Sequence, residues 1–151
     1  MRFEKFTLKN QEAIQKAIEL AQELGHQQLE PEHLAVALLH DTEGIIRVLL
    51  GHLGISPDRL LEKLTADLKN RPRVEGATGD QPHLSSRSGR VLQAAQDIAK
   101  NMGDEYVAQE HLLLALAKDA DGVVAKDFKS GGVIEQSLAK EIEKMRGGQK
   151  V

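Results

Sequence analysis

Apolar residues recur every three or four positions along the first part of the chain, which predicts a series of amphipathic helices. The first predicted helix runs from Thr7 to Leu24, with Thr7 as its N-cap and Gly25 as its stop. The second begins near Pro31 and runs to about His40. Its high content of leucine and alanine predicts that this second helix is buried.

Two further helices and a break follow. The third predicted helix ends at Gly51 or Gly54, and Ser56 and Pro57 supply the N-cap and the first turn of the fourth. Residues 71–84 then contain prolines and glycines without a periodic apolar face, which predicts a linker.

The second half of the chain repeats the first with an offset of 78 residues and no gap. Glu32-His33-Leu34 returns as Glu110-His111-Leu112. The same offset relates Gln15, Ala17, Ala21, Gly25, Ala37, Leu38, Asp41 and Gly44 to Gln93, Ala95, Ala99, Gly103, Ala115, Leu116, Asp119 and Gly122. A duplicated unit of this size must bury its apolar face against its copy. We therefore predict one all-α domain over residues 1–151, a pseudo-twofold bundle of about eight helices, with repeats at about 7–70 and 85–148.

Composition agrees with a helical interior and narrows the range of possible functions. The apolar fraction of 40% is carried by aliphatic residues, with three Phe, one Tyr and no Trp. A formal charge of −3 without a basic stripe makes nucleic acid an unexpected partner. The absence of Cys excludes disulfides and thiol chemistry. Because the start of the chain has no long apolar run, we predict no membrane partner and a cytoplasmic location.

The histidines are the first candidates for chemistry. His33 and His111 occupy equivalent positions beside Glu32 and Glu110, which could suggest a metal site. A zinc site needs three or four converging ligands, however, and neither copy has two histidines four residues apart on a helix. We interpret both as local hydrogen-bonding residues and predict no bound metal. Histidines without a counterpart histidine in the other copy are interpreted as surface residues: His26, His40, His52 and His83.

No other motif supports catalysis. The segment Asp119–Gly122 lacks the glycine and glutamate positions of a calcium loop, and Gly76–Asp80 lacks the Lys-Ser/Thr of a phosphate loop. Ser85, Ser86 and Ser88 lack a nucleophile elbow, so helix capping explains them better. We predict a domain that is not an enzyme.

Several short blocks resemble a known family, the N-terminal repeat domain of Clp ATPases. Each copy carries Gly, six residues and then Glu-His-Leu, starting at Gly25 and at Gly103. The other blocks are Phe6-Thr7, Arg73-Val74-Glu75-Gly76 followed by Leu84-Ser85, and Met145-Arg146-Gly147-Gly148. The last two look most like the ClpB branch of protein disaggregases.

The resemblance implies a bundle joined by a mobile linker to a hexameric AAA+ ATPase that threads polypeptides through its pore. Neither Walker motif occurs in this chain, so the modules that bind ATP and Mg are expected beyond Val151, and no cofactor is expected here. The expected partners are unfolded or aggregated proteins, the rest of the hexamer, and a DnaK chaperone system acting through other domains. The isolated domain is expected to be a monomer.

The resemblance also implies a substrate-contacting surface that includes Thr7, Asp104 and Glu110. We expect them to line a groove between the repeats that is apolar on its floor and acidic at Asp104 and Glu110. We further expect Thr7→Ala and Asp104→Ala to weaken client binding without loss of helix. From the residues alone, each also has a structural role as a cap or first-turn anion.

Two points about this surface stay open. Glu30-Pro31 and Ala108 stand where the family often has Ser or Thr caps, so those helix starts are expected to be less firmly fixed. The alternative function is docking of a folded adaptor protein, as in the ClpC and ClpA branches. A small hydrolase or metal enzyme would require the histidines to converge around an ion.

Overall fold

The computed structural model describes residues 3–73 and 81–151. Over these residues the chain forms eight helices and one short sheet. The elements are α1 Leu8–Glu23, β1 Gln28–Leu29, α2 Pro31–His40, α3 Ile45–His52, α4 Pro57–Lys69, β2 His83–Leu84, α5 Ser86–Asn101, α6 Gln109–Lys118, α7 Val123–Ser130 and α8 Glu135–Arg146. The prediction of an all-α duplicated bundle is confirmed. The predicted linker at 71–84 lies partly outside the described residues, as does the Gly76–Asp80 loop.

The helix boundaries follow the capping signals in the sequence. The side chains of Thr7, Ser56 and Ser85 each accept a hydrogen bond from the backbone N–H three residues later, at 3.2, 3.3 and 3.0 Å. After α1 and α5 the chain turns at Gly25 and Gly103, whose φ angles are 69° and 74°. This left-handed conformation suits glycine because it has no Cβ. The three predicted caps and the predicted stop at Gly25 are confirmed, and Gly103 has the same role in the second repeat.

The short segment before the first helix of each repeat, here called its leading segment, pairs with the other repeat. Phe6, just before α1, pairs in parallel with Val107 of the second repeat. Leu84, just before α5, pairs in parallel with Leu29 of the first. The 78-residue offset converts one pair into the other, so the crossing is itself pseudo-twofold. These short pairings were not predicted, because two residues are too few to show strand alternation.

A side-chain hydrogen bond strengthens each crossing. Asn10 Nδ2 donates to the backbone oxygen of Val107 at 3.1 Å, and Ser88 Oγ donates to the backbone oxygen of Leu29 at 2.7 Å. Asn10 and Ser88 are both fully buried and occupy equivalent positions. The pairing therefore satisfies buried backbone oxygens from both repeats and ties the repeats together.

The core is formed by α2 and α6, which contact each other and the helices around them. Nine residues of α2, Pro31–Leu39, are buried, and α6 is buried from Gln109 to Leu116. Buried residues from both repeats belong to a single hydrophobic cluster. Each large aliphatic side chain buried there contributes about 1.5 to 3 kcal/mol. The burial predicted for the second helix, α2, is confirmed, α6 is buried in the same way, and the repeats share one core.

Among the helices of the described residues, none is both long enough and apolar enough to cross a bilayer.

Candidate functional site

Thr7 lies where the two repeats meet. Its Oγ1 accepts from the Asn10 N–H at 3.2 Å, and its own backbone N–H donates to the oxygen of Val107 at 3.0 Å. The next residue, Leu8, is 77% exposed, and Tyr106, which precedes Val107, is 40% exposed. Exposed apolar residues are common singly, but here two large ones flank one crossing point. The junction thus presents apolar surface around a threonine hydroxyl.

A groove begins next to this junction. It lies between α1 and α2 and has a volume of about 500 Å³. Its lining combines small or aliphatic residues with charged ones: Lys9, Glu12, Ala13, Lys16, Glu19, Leu20, Glu23, Val36, Ala37, His40, Asp41, Thr42 and Glu43. Its first lining residue, Lys9, directly follows Leu8. Gln109 Nε2 closes that end by donating to Lys9 O and to Asp41 Oδ2, both at 3.2 Å.

Asp104 and Glu110 form a buried ionic cluster with Arg146. Asp104 Oδ2 lies 2.6 Å from Arg146 Nη1, and Glu110 Oε2 lies 3.3 Å from Arg146 Nη2. The side chains of Asp104 and Glu110 are 0% and 7% exposed. The expectation that Asp104 and Glu110 make the groove between the repeats acidic is therefore wrong. They are turned inward and their charge is offset by the guanidinium.

Two further hydrogen bonds complete the surroundings of Asp104. Its Oδ2 lies 2.7 Å from His111 Nε2, and its Oδ1 accepts from the Val151 N–H at 3.0 Å. Burial acts to raise the pKa of Asp104. The hydrogen bonds from Val151, Arg146 and His111 outweigh burial and bring the pKa below its ordinary value. Asp104 is therefore a carboxylate at neutral pH.

His111 connects this cluster to the start of α6. Its Nδ1 accepts from the Ala108 N–H at 2.8 Å, so its proton resides on Nε2 and is donated to Asp104. Burial lowers the pKa of His111, so the ring is neutral. In the first repeat, His33 Nδ1 accepts from the Glu30 N–H at the same distance. The interpretation as local hydrogen-bonding residues is confirmed, and the expectation of loose helix starts is wrong.

The first repeat carries the same arrangement with a different acceptor. By the 78-residue offset, His26 stands where Asp104 stands, and His26 Nδ1 lies 2.8 Å from His33 Nε2. Arg71 pairs with Glu32 through its Nε at 2.9 Å and through Nη2. The interpretation of His26 as a surface residue is wrong, because it is 7% exposed. His40, His52 and His83 are exposed as predicted.

This histidine pair makes stability depend on pH. Burial is the main cause that lowers the pKa of His26, with Arg71 adding to it. Burial, then His26 and Arg71, lower the pKa of His33 to about 3. His33 donates its Nε2 proton to His26 Nδ1. Protonation of His26 at Nδ1 would therefore break this hydrogen bond.

We expect acid to destabilise the domain through this pair. Both histidines have folded pKa values below the unfolded value of about 6.5, so their contribution is present above pH 6.5 and is lost as the pH falls. Substituting His26→Asp copies the second repeat and removes the titrating acceptor. Urea unfolding should show that the parent loses on the order of 1 kcal/mol more than His26→Asp between pH 7.5 and pH 5.

The comparison of slopes isolates the His26–His33 pair from other groups. Burial and the neighbouring Asp67 raise the pKa of Asp127 to about 6. Its contribution has the opposite sign, because stability from this carboxyl is lost as the pH rises through about 6. Asp127 is present in both proteins and cancels in the difference. Equal slopes for parent and variant would contradict the assignment to His26.

The described residues offer no assembly for catalysis. Over 3–73 and 81–151, no three His, Cys, Asp or Glu side chains converge as a metal site. The hydroxyls of Ser85 and Ser88 are engaged in a helix cap and in a bond to Leu29. Duplication, crossed leading segments and a shared core define a duplicated helical bundle.

The chain belongs to the family of Clp repeat (R) N-terminal domains, whose match covers residues 5–130. It is a non-catalytic domain of the kind found at the N-terminus of Clp ATPases. Over its full length it is 41% identical to the chaperone protein ClpB of Vibrio vulnificus (strain YJ016) and 35% identical to ClpB of Bacteroides thetaiotaomicron. The chain spans 17% of the length of each of these relatives.

A solved structure supports the same assignment. The crystal structure of the Hsp104 N-terminal domain from Candida albicans superimposes with a TM-score of 0.84 at 27% identity, covering 97% of this chain and 95% of that one. The match therefore spans both repeats of this chain.

Proposed function

We propose that this domain captures exposed apolar segments of unfolded or aggregated proteins for a ClpB-type AAA+ hexamer. The ATP-dependent modules of that hexamer lie outside this chain. The observation that carries the proposal is the pair of exposed apolar side chains, Leu8 and Tyr106, at the junction of the repeats. In keeping with that role, we propose a cytoplasmic location and cooperation with a DnaK system through other domains.

The junction suits a client that has lost its own fold. Leu8 and Tyr106 offer apolar contact, and the adjoining groove between α1 and α2 offers further surface with small residues on its walls. A threonine hydroxyl can accept two hydrogen bonds and donate one. Thr7 Oγ1 uses one acceptor position for the Asn10 N–H, which leaves its proton for a client carbonyl. Asp104 and Glu110 remain part of the proposed site.

Binding at one such site should be weak. Burial of one or two apolar side chains contributes about 1.5 to 3 kcal/mol each, and ordering the client offsets part of it. Several copies on one hexamer can raise the overall affinity by on the order of 10² to 10⁴ when one client reaches several of them. Weak single sites let a client pass on to the pore.

We expect Leu8→Ser to weaken client binding about tenfold, since it removes the most exposed apolar contact without opening the core. The measurement is fluorescence anisotropy of labelled, reduced and carboxymethylated α-lactalbumin, which stays unfolded. Val48→Ser is the matched control, because Val48 is a 49% exposed aliphatic residue on α3. It should bind like the parent.

Two results would count against client capture. Equal binding by the parent and by folded Leu8→Ser would remove the junction as the binding surface. Tighter binding to a native protein than to carboxymethylated α-lactalbumin would favour adaptor docking.

A further inference from the structure

The chain after α8 folds back onto the candidate site. Gly147 and Gly148 turn it, with φ angles of 57° and 90° that residues with a side chain rarely adopt. Residues 147–151, here called the strap, then run along the loop between α5 and α6. Lys150 Nζ fixes the strap by donating to the backbone oxygen of Met102 at 2.8 Å.

The strap engages the site through its backbone. The oxygen of Val151 accepts from the N–H groups of Glu105 and Tyr106, at 2.6 and 3.0 Å. The N–H of Val151 donates to Asp104 Oδ1 at 3.0 Å. Two consecutive backbone N–H groups that donate to one oxygen form a small concave donor site, and such main-chain bonds do not depend on the sequence of the segment that is bound.

The receiving loop is the one that carries the proposed client contacts. Tyr106 contributes both a strap-binding N–H and one of the two exposed apolar side chains of the junction. Arg146 and His111 occupy Oδ2 of Asp104, and the strap occupies Oδ1. Departure of the strap would leave two backbone donors and one carboxylate acceptor together at the edge of the junction.

Over residues 3–73, the first repeat shows no equivalent contact between a carboxylate and a backbone N–H of the returning chain. At the position of Asp104 it has His26, whose Nδ1 is already taken by His33. By the 78-residue offset, the counterpart of the strap is the segment 69–73, and its residues Arg71 and Pro72 line a pocket of about 230 Å³ beside Gln27 and Gln28. The carboxylate that holds a backbone N–H is therefore specific to the second repeat.

We propose that the strap is an internal substitute for a client backbone, and that an extended client segment binds Asp104, Glu105 and Tyr106 once the strap has left. This inference rests on the proposed function. The client supplies a carbonyl to the two N–H groups and an N–H to Asp104, so any unfolded sequence can bind. Asp104 thereby acquires a direct role in client binding despite its burial in the strapped state.

The strap lowers the apparent affinity for clients. A segment joined by a few residues competes at a local concentration in the millimolar range, far above that of a client. Removing this competitor should strengthen client binding about tenfold or more. Gly147 ends α8 by donating its N–H to the backbone oxygen of Glu143, so the strap can turn away from the helix at Gly148.

Two variants test the competition. Val151→Pro removes the N–H that binds Asp104 and keeps the length of the chain. A chain that ends at Gly147 removes the strap altogether. Gln149→Ala is the matched control, because Gln149 is exposed and makes only a backbone bond to Arg146. The probe is labelled, carboxymethylated α-lactalbumin, with hydrogen exchange of the Glu105 and Tyr106 amides measured in parallel.

Both variants should bind the probe about tenfold more tightly than the parent, and Gln149→Ala should match the parent. The Glu105 and Tyr106 amides should exchange faster in the chain that ends at Gly147 and should be protected again when the probe is added. Unchanged or weaker binding by that chain, with its helices intact, overturns the strap inference. If Leu8→Ser still weakens binding in that case, client capture stands. If no protein in the series binds the probe, both proposals fail.

Discussion

Replacing Arg146 by alanine is expected to lower the free energy of unfolding by about 3 to 5 kcal/mol. Arg146 is the cation for two carboxylates that are almost completely buried, Asp104 and Glu110. Without it, two like charges remain close together in a region of low dielectric, and desolvation is no longer offset. Urea unfolding at pH 7, followed by circular dichroism, measures the loss directly.

A surface arginine provides the control. Arg59 is exposed on α4, and Arg59→Ala should change stability by no more than about 0.5 kcal/mol. The loss in Arg146→Ala should also shrink toward pH 4, because protonation of the carboxylates removes the uncompensated charge. If Arg146→Ala costs no more than Arg59→Ala, the cluster around Asp104 does not hold the fold.

Replacing Phe128 by alanine is expected to cost a similar amount, about 3 to 5 kcal/mol, by opening a cavity. Phe128 is 1% exposed on α7, a helix that contacts α2 and α4 of the first repeat as well as α6. Because the core is shared, the whole domain should lose stability together. Differential scanning calorimetry should show one transition at a lower temperature.

Val123→Ala is the matched control, since Val123 lies on the same helix and is 40% exposed. It should change stability by a few tenths of a kcal/mol. Two separate transitions in Phe128→Ala would mean that the first repeat stays folded alone. That result would contradict the shared core.

The helical architecture could be predicted because its signals are local. Helix starts are indicated by Thr7, Ser56 and Ser85, and helix ends are indicated by Gly25 and Gly103. Each of these signals lies within a few residues of the helix end that it determines. The 78-residue offset between the copies also allowed the pseudo-twofold relation of the repeats to be predicted. The crossed pairings could not be predicted, because each is two residues or fewer and joins distant segments.

Less of the candidate site than of the fold could be predicted from the sequence. The resemblance pointed to Asp104 and Glu110, but their burial depends on Arg146, which is 42 residues from Asp104. No local pattern reports such a contact. In the sequence, Leu8 belongs to the apolar pattern that predicts the first helix, yet it is the most exposed large apolar residue among those described. Periodicity alone cannot tell a helix's exposed first turn from its buried face.

The burial of His26 could have been predicted by comparing the two copies position by position. It has no partner histidine in the second copy, and that fact favoured a surface residue. Its counterpart by the 78-residue offset is Asp104, which also accepts a hydrogen bond from the histidine seven residues later. Comparing hydrogen-bonding capacity between the copies, rather than residue identity, would have placed His26 in the buried pair.

The most direct test of client capture is an NMR titration of the labelled domain with carboxymethylated α-lactalbumin, followed at each backbone amide. Native α-lactalbumin serves as the folded control. The account predicts shifts that cluster at Thr7, Leu8 and the loop from Asp104 to Tyr106, and only with the unfolded chain. The absence of shifts there, or shifts with the native protein alone, would contradict it.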